Sequence, residues 1–212
     1  MIRSMMGRKK VDKNTLLLLH FDGNLADATG INSGLTSQNI TYSTDSKFGE
    51  SVKFGNSGSW VKIPFNKNLL YTPGQDMTVD FWLKRGRSDD YVISLYGNQD
   101  TNSIPNGFQF SISNDELAFY TDGDTNGFWI KASIPLNTWT HIALVYINNE
   151  FHLYKNGIRI STFKKSATSF QNGLLIGQAR DCSYSLNGCI DEYRISNIAR
   201  WTSNFTPPAR PY

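Results

Sequence analysis

The stretch WTHIALVYINNEFHLYKNGIRIS (139–161) constrains the fold of this chain more than any other. Asn148-Asn149 and Asn156-Gly157 are dipeptides that two-residue hairpin turns select, because asparagine and glycine accept positive φ. The runs between and beside them are rich in β-branched and aromatic residues, so the segment reads as an antiparallel meander. THIALVYI (140–147) is apolar on both faces, as expected of a central strand in a two-layer sandwich.

Similar runs recur between turn residues at 15–21, 51–54, 60–63, 77–84, 91–96, 107–113, 116–121, 128–132, 173–177 and 188–195. MTVDFWLK (77–84) alternates with period two: Val79, Phe81 and Leu83 point one way, Thr78, Asp80, Trp82 and Lys84 the other. In GCIDEYRIS (188–196) the same alternation sets Ile190, Glu192 and Arg194 against Cys189, Asp191, Tyr193 and Ile195. No helix longer than a turn or two is expected, and SNIAR (196–200) reads as one short turn. Many short strands without long helices imply an all-β domain, a two-sheet antiparallel jelly-roll sandwich. A chain of 212 residues suits one such unit. The domain is expected over 14–206, after a basic arm (1–13) and before a Pro-rich tail (207–212). Pro207, Pro208 and Pro211 are expected to end the fold and leave that tail extended.

Charge narrows the partners. The formal net charge is +3, yet the arm alone holds Arg3, Arg8, Lys9, Lys10 and Lys13 against Asp12. The remaining domain is therefore nearly neutral, which argues against nucleic acid, whose phosphates need an extended basic surface. No run approaches the length of a membrane span, and TLLLLHF (15–21) is too short for one, so no membrane insertion and no signal peptide are expected. Cys182 and Cys189 flank a turn; a small disulfide loop and two free thiols both remain open.

Several segments together resemble laminin-G-like, concanavalin A-like jelly rolls. LLLLHFDGNLADATG (16–30) and FGESVKFGNSGSWVKIP (48–64) resemble the opening of such a domain, and MTVDFWLK, WTHIALVYINNEFHLYKNG and LLIGQ (174–178) its middle strands. LNGCIDEYRISNIARWTSNFTPP (186–208) resembles the closing strand and the segment after it, in a style similar to bacteriophage virion and tail-associated proteins. The resemblance implies a fold that hosts glycan-binding modules, endo-glucanases and interaction domains, so the sites must decide between them.

The glucanases of this fold place catalytic carboxylates as Glu-x-Asp-x-Glu on one strand. The glutamates here, Glu50, Glu116, Glu150 and Glu192, form no such pattern, and Asp80 stands alone as a candidate base. His20, His141 and His152 show no metal or triad spacing. An enzyme is not expected, and an endo-glycosidase is the least favoured alternative. The resemblance further implies a structural Ca2+ tying the first strand to the last, held by Asp22 and Asp191 with backbone carbonyls from Gly49–Ser51. The competing reading has Asp22 in an Asx turn and Asp191 paired with Arg194 or a backbone amide. DGDTNG (122–127) copies the first half of an EF-hand loop, but Ser133 stands where the closing glutamate belongs, so a hairpin turn is expected.

Exposed aromatics beside Asp and Asn are the groups that stack on sugar C–H faces and take hydroxyls. Trp82, Tyr120, Asp122, Asp124, Asn126 and Trp129 are the candidate ligand contacts, against the alternative that the rings fill the core. The expected function is a non-catalytic carbohydrate-recognition module on a virion surface, binding a host surface glycan and other virion proteins. A trimer is expected for avidity. The alternatives are a structural virion protein docking through its N-terminal arm, and an extracellular or cell-surface bacterial protein.

Overall fold

The computed structural model describes residues 10–55, 58–69, 72, 74–88, 91–96, 108–113, 115–121, 128–164, 173–178 and 185–212. In chain order the strands are β1 (Thr15–Leu19), β2 (Thr36–Gln38), β3 (Ile40–Ser43), β4 (Ser51–Phe54), β5 (Trp60–Ile63), β6 (Met77–Arg85), β7 (Tyr91–Tyr96) and β8 (Phe108–Ser113). They continue with β9 (Glu116–Thr121), β10 (Phe128–Ser133), β11 (Thr140–Ile147), β12 (Glu150–Lys155), β13 (Ile158–Lys164), β14 (Leu174–Ile176) and β15 (Gly188–Ser196). The one helical turn among the described residues is a 3-10 turn at Lys67–Leu69. Of the segment 196–200, read from sequence as one short turn, Ser196 closes β15 and the rest is irregular.

Two antiparallel sheets face each other. The first runs β13-β12-β11-β6-β15-β4-β3, with β1 added against β15; the second runs β10-β9-β8-β7-β14-β5-β2. The meander β11-β12-β13 forms as its turn chemistry requires, with positive φ at Asn148, Asn149, Asn156 and Gly157. Strand β2 carries no apolar alternation that marks it in the sequence, and β3 is only four residues, Ile40 and Tyr42 alternating with Thr41 and Ser43. They form as sheet edges, each paired on one side only, to β5 and β4.

Between the sheets lies one core. Val79, Phe81 and Leu83 of β6, Ile142, Leu144 and Tyr146 of β11, and Phe108, Phe110 and Phe119 of the second sheet all belong to it. The Phe81 ring stacks on Tyr193 at 5.3 Å and meets Phe110 edge-on at 5.4 Å. Burying each such side chain contributes about 1.5–3 kcal/mol.

Strand β15 departs from simple alternation. Its pairing with β6 shifts register between Asp191 and Arg194, and Glu192 has φ of 52°. This is a β-bulge, in which one extra residue resets the phase of the strand. Ile190, Tyr193 and Ile195 therefore all enter the core, where period two would have opposed Ile190 to the other pair. Asp191 and Arg194, expected on opposite faces, both lie outside the core, register partners of the outward-facing Trp82 and Asp80. At the bulge the other edge of β15 changes partner, from β4 at 188–190 to β1 at 193–196.

The first sheet has a second layer on its outer face. Ala143, Val145 and Tyr154 pack against Ala199, Trp201 and Phe205 from the segment after β15, which explains why β11 is apolar on both sides. Trp201 and Phe205 stack at 3.9 Å with an interplanar angle of 6°. The prolines do end regular structure, but residues 207–212 do not extend into solvent: Tyr212 returns to the sheet, its ring 3.4 Å from the Arg194 guanidinium carbon. We call 197–212 the strap.

The strap rests on Gly157, where φ is +77° and an added Cβ would lie 1.9 Å from the Phe205 carbonyl oxygen. Gly157→Ala is therefore expected to lower stability by about 2 kcal/mol or more, through strain and a lifted strap. Chemical denaturation measures the loss, and tryptophan emission from Trp201 should shift with it.

Candidate functional site

On the outer face of the first sheet, alternation on β6 and β11 and the bulge in β15 bring Asp80, His141 and Arg194 together. Arg194 donates to Asp80 through Nε and Nη2, both at 3.0 Å, and both residues are buried. The Tyr212 hydroxyl donates to Asp80 Oδ2, and His141 Nε2 lies 3.2 Å from that hydroxyl. Glu192, raised by the bulge, accepts the Tyr212 backbone N–H at 3.1 Å and meets His20 Nδ1 at 2.7 Å. Burial alone would push the Asp80 carboxyl up, but the Arg194 charge, then His141, more than offset it and hold it at about 2. Burial, and then Asp80 itself, push the Tyr212 hydroxyl well above its ordinary value, so it stays a donor. A carboxylate that is sealed, ionised and shared by three partners has neither the access nor the pKa of a general acid or base. Asp80 is a structural anion.

Trp82, expected as a sugar platform, is 5% exposed. The turn before β4 folds over it: Phe48 meets its ring edge-on at 6.3 Å, and Lys47 Nζ sits 4.2 Å from its centroid. Asp191, the register partner of Trp82 on β15, holds that turn down. Its Oδ2 accepts the backbone N–H groups of Lys47 and Phe48, both at 2.8 Å. This fulfils the backbone-amide reading of Asp191; Arg194 goes to Asp80 instead.

A notch opens where β15 exchanges β4 for β1. Asp22 enters it from the end of β1, its Oδ1 accepting Glu50 N–H at 2.7 Å. Gly49, with φ of +57°, makes the room: a Cβ there would lie 2.1 Å from Asp22 Oδ1. Asp191 Oδ1 is buried with no hydrogen-bond partner. Burial first, then the charges of Glu192 and Asp22, push the Asp191 carboxyl up to about 7, against the pull of the two amides. An orphaned carboxylate oxygen beside a second carboxylate fits a hard cation taking oxygen ligands. The described residues hold no group of three or more His, Cys, Asp or Glu able to bind a metal, so backbone carbonyls would complete such a shell. The carbonyls expected in this set are those of the Gly49–Ser51 backbone; the Ser51 hydroxyl itself donates to the Asp45 carbonyl at 2.7 Å.

Asp122, Asp124 and Asn126 lie outside the described residues, as does Cys182; Cys189 is a buried free thiol. Tyr120 and Trp129 lie on β9 and β10, with backbone register opposite Gln109 and Ala118. Sequence reasoning passed over Trp60. It alternates with the core residues Val61 and Ile63 on β5, and so stands half-buried on the outer face of the second sheet, next to exposed Lys62 in that row. Gln109 and Ser111 of β8 occupy the same outer face, joined by a 2.7 Å hydrogen bond.

Comparison with known proteins agrees with this architecture. A family model described as the concanavalin A-like lectin/glucanases superfamily matches residues 54–203. Botulinum neurotoxin type X of Clostridium botulinum is 24% identical over 162 residues, 71% of this chain but 12% of the toxin. Domain 4 of AbnA, a GH43 extracellular arabinanase from Geobacillus stearothermophilus solved with arabinotriose, superposes with a TM-score of 0.69. It is 22% identical, and the match covers 88% of this chain and 93% of that domain. The botulinum neurotoxin serotype D ligand binding domain, solved with N-acetylneuraminic acid, gives 0.68 at 16% identity, over 89% of this chain and 48% of the other. The chain thus spans about half of that toxin domain and a small part of the whole type X toxin.

Depressed in the folded state, the Asp80 pKa contributes stability that is present above about pH 4 and lost as pH falls toward about 2. Thermal unfolding between pH 5 and 2 should follow this slope. Asp80→Asn should flatten its lower part while costing about 3–5 kcal/mol at neutral pH, because Arg194 is left buried without its counter-charge.

Proposed function

The chain belongs to the concanavalin A-like lectin/glucanase superfamily, and from that premise we propose that it is a non-catalytic carbohydrate-recognition module. One observation carries the reading: over β6, β11 and β12 the outer face of the first sheet is covered by the chain's own strap and by the turn over Trp82. A glycan is then received on the outer face of the second sheet. There Trp60 offers a stacking surface and Lys62 and Gln109 offer donors, and Tyr120, Asp122, Asp124, Asn126 and Trp129 are proposed as ligand contacts from the sequence. The superposing domains solved with arabinotriose and with N-acetylneuraminic acid support a saccharide as the ligand class. The burial and charge pairing of Asp80 support recognition over hydrolysis.

The notch between β1, β4 and β15 is proposed to hold a structural Ca2+ through Asp22 and Asp191. Bound there, the ion would neutralise the two carboxylates and tie the first strand to the last. The setting we propose is a virion surface, with a trimer raising avidity; the style of the closing segment is what supports it.

Calorimetric titration of the full chain against a panel of neutral and acidic oligosaccharides tests the function. At least one should bind, and Trp60→Ala or Trp129→Ala should weaken it roughly tenfold or more. Silence from folded protein across the panel, or binding indifferent to both substitutions, would sink the reading. For the cation, Ca2+ should raise the melting temperature of the native chain at pH 8 in chelator-treated buffer. Asp191→Asn, which removes the orphaned charge, should be the more stable protein without Ca2+ and gain nothing from it.

A further inference from the structure

A second concavity lies on the opposite side of the molecule from the proposed glycan face. It is a cleft of about 620 Å³ between the segment leading into β1 and the strap. Its apolar lining comes from Leu18, Ile198, Pro208 and Pro211, with the half-buried indole of Trp201 in one wall.

The charges around the cleft do not cancel. Arg194 is committed to Asp80. Arg200 is committed to Asp12 at 3.0 Å, to Thr15 Oγ1 at 2.9 Å and to Ser196 Oγ at 2.6 Å. Asp12, the single acidic side chain in the lining, is thereby neutralised. Lys10 and Arg210 remain. Both are exposed, one on each chain segment that walls the cleft, and neither has an acidic partner among the described residues.

We propose that this cleft is a binding site for an anionic sugar unit, its charge carried by a carboxylate or a phosphate ester. An apolar floor with an indole wall receives the C–H face of a sugar ring, and two uncompensated cations at the mouth take the charge. A purely apolar ligand gives Lys10 and Arg210 no role. The neutral cluster at the base of the cleft keeps its wall rigid, because Tyr212 and Arg194 are held by Asp80 and Glu192 and are not free to collapse onto the ligand. The site does not depend on the second sheet, so it can stand or fall apart from the glycan reading made there.

The test titrates the full chain with tri-galacturonate, with a glycerol-phosphate oligomer and with neutral galactotriose, at low and high salt. At least one anionic ligand should bind, with affinity that falls as salt rises, and Lys10→Glu combined with Arg210→Glu should weaken it roughly tenfold. Both side chains are exposed, so the melting temperature should not move. Trp60→Ala should leave this binding intact, and whichever anionic ligand binds identifies the source of the charge. The proposal is overturned if neither anionic ligand binds, if the double reversal has no effect, or if galactotriose binds equally and is equally sensitive to the reversal. Loss in Trp60→Ala with no loss in the double reversal would assign the binding to the second sheet and likewise end it.

Discussion

The Asp80–Arg194 pair on the outer face of the first sheet is the interaction on which the rest of the molecule depends. A buried ion pair is stable only when the desolvation of both charges is repaid by close geometry and by hydrogen bonds to the remaining lone pairs. Here the two 3.0 Å contacts supply the geometry, and Tyr212, with His141 Nε2 at 3.5 Å, supplies the remaining contacts on the carboxylate. Tyr212 can reach Asp80 only if the strap lies flat across β11 and β12, which requires Trp201 and Phe205 to stack there and Gly157 to present no side chain. One electrostatic requirement on one face thus sets the course of the last sixteen residues.

The bulge at Glu192 makes that requirement possible. A regular strand would alternate Asp191, Glu192, Tyr193 and Arg194 across the sheet and drive a carboxylate into the core. With one extra residue inserted, Tyr193 enters the core against Phe81, and the three charged side chains are taken up outside it by different partners. Asp191 secures the turn over Trp82, Glu192 receives His20 and the end of the strap, and Arg194 meets Asp80. The same bulge sits where β15 changes neighbour from β4 to β1, so the notch holding Asp22 and Asp191 is a product of the strand exchange. Backbone amides that a continuous ladder would have satisfied at Lys47, Phe48 and Glu50 are satisfied there by carboxylates.

These constraints divide the surface by role. Over β6, β11 and β12 the first sheet spends its outer face on internal cover, and the second sheet keeps a mixed row of aromatic and polar side chains on its own. A ring such as Trp82 or Trp60 looks the same in a sequence, since each alternates with core residues on its strand. What separates them is a turn more than thirty residues before Trp82 that folds back over it, and no such cover appears in the described residues around Trp60.

What the sequence by itself determined is the sandwich: period-two alternation on β6, the Asn-Asn and Asn-Gly turns of the meander, and the lack of helical spacing. These are local signals, because side-chain direction in a strand and φ at a turn depend on near neighbours. It also brought Asp22 and Asp191 under suspicion through resemblance. Only the tertiary structure decided the rest: that Asp80 is an ion-pair partner, that Trp82 is covered, that a tail with three prolines folds back, and that β15 changes phase at Glu192. Each of these rests on contacts between residues far apart in the chain, Tyr212 with Asp80 across 132 positions and Lys47 with Asp191 across 144. Their energy comes from burial that no window of sequence contains, so the chain had to be closed on itself before they could be read.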